Sequence, residues 1–343
     1  MLVSAPFDIV ILMVGMDKAN PMRLSAKIKE KRPDIPVFLL LNQYSDIQYF
    51  KDLLPSVPTI DKLFIWNGDA QIFFAIVKST EDYANVDDDT KVGLVRVILL
   101  VEDAPEYYSR YLPMLYSIVF GQVQEILPEV EKNELDKISK MRSRPKIIHA
   151  RNYEDATHFF NTYKDFLLCV ICDMEFDRNG LLDTRAGVRF INYVKSHIFS
   201  LPIILQSADP TSETFARKLN VTFINKQSET LLRDLRSFLY QYLGFGDFIF
   251  RDKEGNAIAT AKTLHEFTKM ISEVPEESYY LHAVENQFSL WLMARGEIKL
   301  AKTLNPIHIT SFETVEASRQ YFLRCLKEHE ENRQKGKILS FDE

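Results

Sequence analysis

Short apolar runs alternate with amphipathic stretches over the first 243 residues, the pattern of an α/β chain built on a parallel sheet. The run FDIVILMV from Phe7 predicts a first strand and Met22–Lys31 a helix. Ile35–Leu41 and the run DKLFIW ending at Trp66 predict two more strands, and Asp69–Lys78 a further helix. Three parallel strands alone leave an apolar edge open. The region 1–80 therefore reads as the back half of a five-stranded unit, and the chain is expected to begin inside a domain. Residues 81–95, polar and acidic, predict a linker. A complete unit then follows over 96–243, with strands Arg96–Val101, Lys146–Ala150, Phe166–Cys172, Leu201–Ser207 and Val221–Asn225. Most of these are apolar throughout, as in strands covered on both faces. The expected fold class is thus α/β, a doubly wound five-stranded parallel sheet with a partial unit before it. Its first connection, Asp103 to Pro145, predicts a long helix containing Pro113, with amphipathic Gln124–Arg144 projecting from the domain. From Gly244 the pattern changes to a small hairpin-plus-helices region, 244–343. It has a strand at Phe248–Arg251, a turn at Lys253–Asn256, and helices at Thr263–Ser272, Glu276–Arg295, Glu297–Leu304 and Val315–Gln334.

Composition narrows the functions open to such a chain. Only 11 of 343 residues are glycine, about half the usual share, and no glycine-rich phosphate loop occurs. The net charge is −6, and 244–343 carries 13 basic against 16 acidic residues, so no nucleic-acid partner is expected. Three cysteines build no disulfide framework, and no apolar run is long enough for a bilayer span. The expectation is a cytoplasmic protein with no membrane partner. Cys169 and Cys172 are spaced C-x-x-C but fall within one strand, where residues three apart point to opposite faces. They read as core. His282, on a predicted helix, likewise reads as a packed residue.

Open parallel sheets bind ligands beyond the carboxyl ends of their strands. In 96–243 those ends hold Glu102 and Asp103, then Asp173, Ser207 and Lys226. Three acids converging on one point repel one another unless a cation joins them, and oxygen ligands suit Mg²⁺. A hydroxyl and an ammonium beside them suit a phosphoryl group carried on one carboxylate.

The ordered segments LLVEDAP, CVICDMEF, PIILQSAD and TFINKQS resemble a response-regulator receiver domain. The resemblance implies Asp173 as phosphoacceptor, and Mg²⁺ held by Glu102, Asp103, Asp173 and the backbone carbonyl of Glu175. It implies Ser207 as the hydroxyl that follows the phosphoryl group, Lys226 as its ion partner, and Phe223 as the switch aromatic. The partner implied is a sensor histidine kinase or a small phosphodonor. Two positions depart from the pattern: Gln227 and Asp177 stand where receivers usually carry proline. A cis bond before a non-proline costs about 3–4 kcal/mol, so a trans loop and a displaced Lys226 are expected. Residues 1–80 resemble a degenerate receiver, with Met13 at the acceptor position, Leu41 for the hydroxyl and Asn67 for the lysine. With GFGDFIF and HAVENQFSLWLMAR, most of the chain resembles the regulatory N-terminal region of bacterial pyruvate phosphate dikinase or phosphoenolpyruvate synthase-like proteins. On this reading the chain is a phosphorylation-responsive signalling module and not itself an enzyme, and a dikinase-type domain is a further partner. The alternative is an unphosphorylated pseudo-receiver scaffold for homodimerisation or docking. Mg²⁺ affinity separates the two.

Overall fold

The structure, a computed structural model, describes residues 8–93, 95–126, 144–198, 201–305 and 307–334. The N-terminal unit comprises β1 (Val10–Met13), α1 (Asn20–Lys31), β2 (Val37–Leu41), α2 (Ile47–Leu53), β3 (Lys62–Ile65) and α3 (Gln71–Lys91). Its strands form a parallel sheet in the order β1-β2-β3. The central unit comprises β4 (Val97–Val101), α4 (Pro105–Ile126), β5 (Lys146–Ala150), α5 (Tyr153–Tyr163), β6 (Leu167–Asp173), a hairpin of β7 (Phe176–Arg178) and β8 (Leu181–Asp183), α6 (Ala186–His197), β9 (Ile203–Ser207), α7 (Glu213–Leu219), β10 (Thr222–Asn225) and α8 (Leu231–Tyr242). Its five-stranded sheet is parallel throughout and ordered β10-β9-β6-β4-β5. The strand order reverses between β4 and β6, and this places the crevice at their carboxyl ends.

Strand alternation divides the central core in two. Ile98, Leu100, Ile171 and Ile204 face α4 and α8, whereas Leu99, Val101, Val170 and Leu205 face α5, α6 and α7. Cys169 belongs to the first cluster and Cys172 to the second, both as buried free thiols on opposite faces.

The first of these cores does not stop at the central unit. Phe38, Leu40 and Phe64 of the N-terminal sheet pack into it alongside Tyr108, Leu112 and Leu115 of α4. At the edge of β3, the Tyr108 hydroxyl donates to the Leu63 carbonyl and Ser109 Oγ accepts from the Ile65 amide, 3.0 Å away. The long first helix thus covers the β3 edge that the sequence reading left open. The projecting stretch expected beyond α4 falls, from 127 to 143, outside the described residues.

The expected linker 81–95 is overturned. Residues 81–91 are the second half of α3. Asp82, Val86 and Thr90, spaced by four, form one buried stripe. The Asp82 carboxylate is paired with the Arg144 guanidinium at 2.6 Å and accepts from the Tyr116 hydroxyl and the Ile147 amide, each at 2.9 Å. Two of the segment's polar residues, Asp82 and Thr90, are therefore buried and bonded, which charge patterning alone does not reveal.

The C-terminal region has an antiparallel hairpin, β11 (Phe248–Arg251) and β12 (Ala257–Ala261), then α9 (Leu264–Glu273), α10 (Glu276–Val284), α11 (Gln287–Ala294), α12 (Ile298–Leu304) and α13 (Val315–Gln334). The single helix expected over Glu276–Arg295 is two, broken at Asn286, whose φ of 56° is left-handed. Asparagine tolerates that conformation better than other side chains. Gly244, at φ 69°, lies so close to Trp291 that a Cβ would approach its Cα to 2.5 Å. The Gln122 side chain of α4 accepts from the Gly246 amide at 2.7 Å, and Trp291 Nε1 donates to the Gly246 carbonyl at 3.0 Å. The segment GFG is thereby fixed between α4 and the C-terminal core.

Asp82→Ala is expected to cost about 3–5 kcal/mol, because it strands a buried guanidinium. Asp88→Asn, on the exposed face of the same helix, should stay within about 0.5 kcal/mol. Urea denaturation midpoints separate the two, and equal small effects would restore the linker.

Candidate cation and phosphoryl site

Three strand ends build the site. β4 runs into Glu102 and Asp103, β6 ends in Asp173, and β10 is followed by Lys226. Each of the three carboxylates offers an oxygen within 4.8 Å of the others. Lys226 Nζ lies 2.6 Å from Asp173 Oδ2 and 2.7 Å from Glu102 Oε2. The ammonium also sits 4.3 Å from the centre of the Tyr107 ring, a cation–π contact. Glu102, Asp173 and Lys226 are all buried. All peptide bonds among the described residues are trans, so the bond before Gln227 is trans as expected. The displacement expected of Lys226 does not follow, since its side chain still reaches both acids across the end of β9.

Burial and the Asp173 charge push the Glu102 carboxyl above its ordinary range, against the pull of Lys226. Burial and then Asp173 raise Asp103 to about 6. Asp173 is raised chiefly by burial, partly offset by Lys226 and by the Met174 and Glu175 amides. Burial opposes the Lys226 ammonium, yet the two carboxylates more than compensate and its pKa is raised. Three carboxylates around one ammonium leave about two negative charges in excess when all are ionised. A hard divalent cation fits that excess and the all-oxygen donor set.

The other expected residues are placed differently. Ser207, buried at the end of β9, accepts from the Asp209 amide and the Ser212 hydroxyl, each at 3.1 Å. It neighbours the acids through the register that pairs Asp173 with Gln206. Glu175 lies two residues after Asp173, with its amide toward the Asp173 carboxylate and its side chain exposed. Phe223 is half-buried on the α6–α7 side of the sheet, packed with the cluster of Leu205 and Ala216. Asp177 lies in β7, whose hairpin turns at Asn179 and Gly180, both with positive φ. An Asn-Gly pair favours such a tight turn, a signal the sequence reading did not use. In the N-terminal unit, Met13 is exposed at the end of β1 and pairs in register with Leu40.

Four contributors escaped the sequence reading. Tyr107 caps Lys226. Gly187 abuts β6: a Cβ there would come within 2.1 Å of the Asp173 carbonyl oxygen, and its amide donates to the Met174 carbonyl at 3.0 Å. His149 Nε2 donates to the Glu102 carbonyl at 2.6 Å, and its Nδ1 accepts from Lys62 of β3. Lys51 of α2 pairs with Glu106, one turn beyond Asp103, at 3.0 Å. A helix-start glycine, a ring or a lysine from another unit carries no local motif, and only the tertiary fold reveals it.

Asp103 is protonated in the native state between its ordinary pKa near 3.8 and about 6, where the unfolded chain is ionised. Stability therefore falls as pH rises through that window. With chelator present, Asp103→Asn should be more stable than wild type by about 1–2 kcal/mol above pH 6, a discounted value because the group is partly exposed. The advantage should vanish below about pH 4. Added Mg²⁺ should stabilise the wild type but not the variant, as read by thermal unfolding.

No protein-family model matches the chain, and no curated protein matches it significantly. Among solved structures, the Mn(2+)-bound form of response regulator Rcp1 aligns with 48% of this chain and 99% of its own, at 15% identity and a TM-score of 0.27. So low a score does not establish a common fold. The comparisons name no dikinase- or synthase-type relative.

Proposed function

We propose that residues 96–243 form a phosphorylation-responsive module of the receiver type, with Asp173 as phosphoacceptor. The observation that carries this reading is Lys226 bridging Glu102 and Asp173 beside Asp103, at the point where the strand order reverses. An Asp173 carboxylate oxygen attacks the phosphorus of a phosphohistidine or a small acyl phosphate. The bond from phosphorus to the donor's nitrogen or oxygen breaks, its electron pair leaves with the donor, and an aspartyl phosphate results. Glu102, Asp103 and Asp173, with the Glu175 carbonyl by resemblance, would hold Mg²⁺, which supplies positive charge to the phosphoryl oxygens. Lys226 then exchanges its Asp173 oxygen for a phosphoryl oxygen, and Ser207 donates its hydroxyl hydrogen to another.

The output runs through helices that already share a core. Leu235 and Leu239 of α8 lie in one apolar cluster with Phe245 and Ala294 at the start and the heart of the C-terminal region. That region is the natural recipient, as the regulatory part of a dikinase- or synthase-like protein. His282 within it is no phosphate carrier in this conformation: its Nε2 accepts from the Arg251 amide at 2.9 Å and its Nδ1 engages Gln287 at 2.5 Å. The N-terminal unit has Met13, Leu41 and Asn67 at the corresponding strand ends and acts as a scaffold, since a thioether accepts no phosphoryl group.

Incubation with Mg²⁺ and acetyl phosphate should add one phosphoryl group to the intact mass, labile to base, and absent in Asp173→Asn or with chelator. A wild type that neither gains mass nor binds Mg²⁺ leaves the scaffold reading in its place.

A further inference from the structure

Two lysines of the N-terminal unit reach the segment that carries the metal-binding acids. Lys62 of β3 meets His149, whose other nitrogen holds the Glu102 carbonyl. Lys62 Nζ lies over the Phe64 and Tyr108 rings, at 5.2 and 5.0 Å from their centres. It anchors β3 beneath Glu102. Lys51 of α2 reaches the same segment from the rim, pairing with Glu106 Oε1 in the first turn of α4. Glu106 stands three residues after Asp103, in the first turn of the helix that follows the acid pair. The second Glu106 oxygen, Oε2, is buried and has no hydrogen-bond partner.

We propose that Lys51 is a built-in cation of the acid site, through which the N-terminal unit weakens and tunes divalent-cation binding by the central unit. The inference rests on the phosphoacceptor reading only in taking Glu102, Asp103 and Asp173 as the metal ligands. A fixed positive charge at the rim repels an incoming divalent cation. It also occupies Glu106, a carboxylate that otherwise adds to the attraction. A movement of α2 that withdraws Lys51 raises metal affinity without altering any ligand. The degenerate unit thereby acquires a role that needs no phosphoryl chemistry of its own: it sets the metal concentration at which Asp173 can be phosphorylated.

The test is titration of the whole chain with Mn²⁺, the free ion being followed by electron paramagnetic resonance. Lys51→Met should bind about 3–10-fold more tightly than wild type at low ionic strength, with the gap closing as salt is added. Lys51→Arg should restore wild-type affinity, and Glu106→Gln should bind more weakly. A gain in affinity is not the signature of a merely structural contact, whose loss lowers the urea midpoint and leaves binding unchanged or weaker. Wild-type binding that is abolished by Asp173→Asn but unaltered in Lys51→Met overturns this inference alone. A wild type that binds no Mn²⁺ overturns the phosphoacceptor reading together with it.

Discussion

One buried ammonium holds the central unit's functional edge together. Lys226 leaves β10, passes the end of β9, and inserts between Glu102 and Asp173. Two acids at adjacent strand ends cannot both stay ionised in a buried crevice without it, and a buried lysine without carboxylates tends to lose its proton. Each half of the arrangement therefore makes the other tolerable. It remains incomplete, because Asp103 adds a third carboxylate and one ammonium cannot balance three. That residual negative charge is what suits the crevice to a divalent cation.

The second constraint is α4. It covers one face of the five-stranded sheet, satisfies the free edge of β3 through Tyr108 and Ser109, and holds Gly246 through Gln122. Its first turn also carries Tyr107 over Lys226 and Glu106 against Lys51. A single helix thus touches the acid site, the N-terminal sheet and the C-terminal region. The units accordingly share an apolar core instead of being joined by a tether.

The five strands of the central unit were legible because their apolar runs are long and end in charged residues. Their carboxyl-end residues could be assembled from the rule that parallel sheets bind ligands there. The failures have a common cause. The segment 81–91 looks like a linker because its buried stripe contains Asp82 and Thr90, whose burial depends on Arg144 and on helix packing distant in sequence. The break at Asn286 is a single backbone torsion inside an apolar stretch, invisible to periodicity. The expected displacement of Lys226 was drawn from one missing proline. The side chain is long enough to reach Asp173 over a trans bond, and its two carboxylates and Tyr107 fix it there. The contributions of Lys51, Lys62 and His149 depend on two units meeting, which local pattern does not encode.

The divalent-cation site proposed at Glu102, Asp103 and Asp173 is tested by anomalous scattering from crystals soaked in Mn²⁺. A single strong peak among these three side chains, with Lys226 drawn away from at least one of them, is the expected result. Ordered side chains with no peak among them, and Lys226 still bridging Glu102 and Asp173 at saturating Mn²⁺, would contradict it.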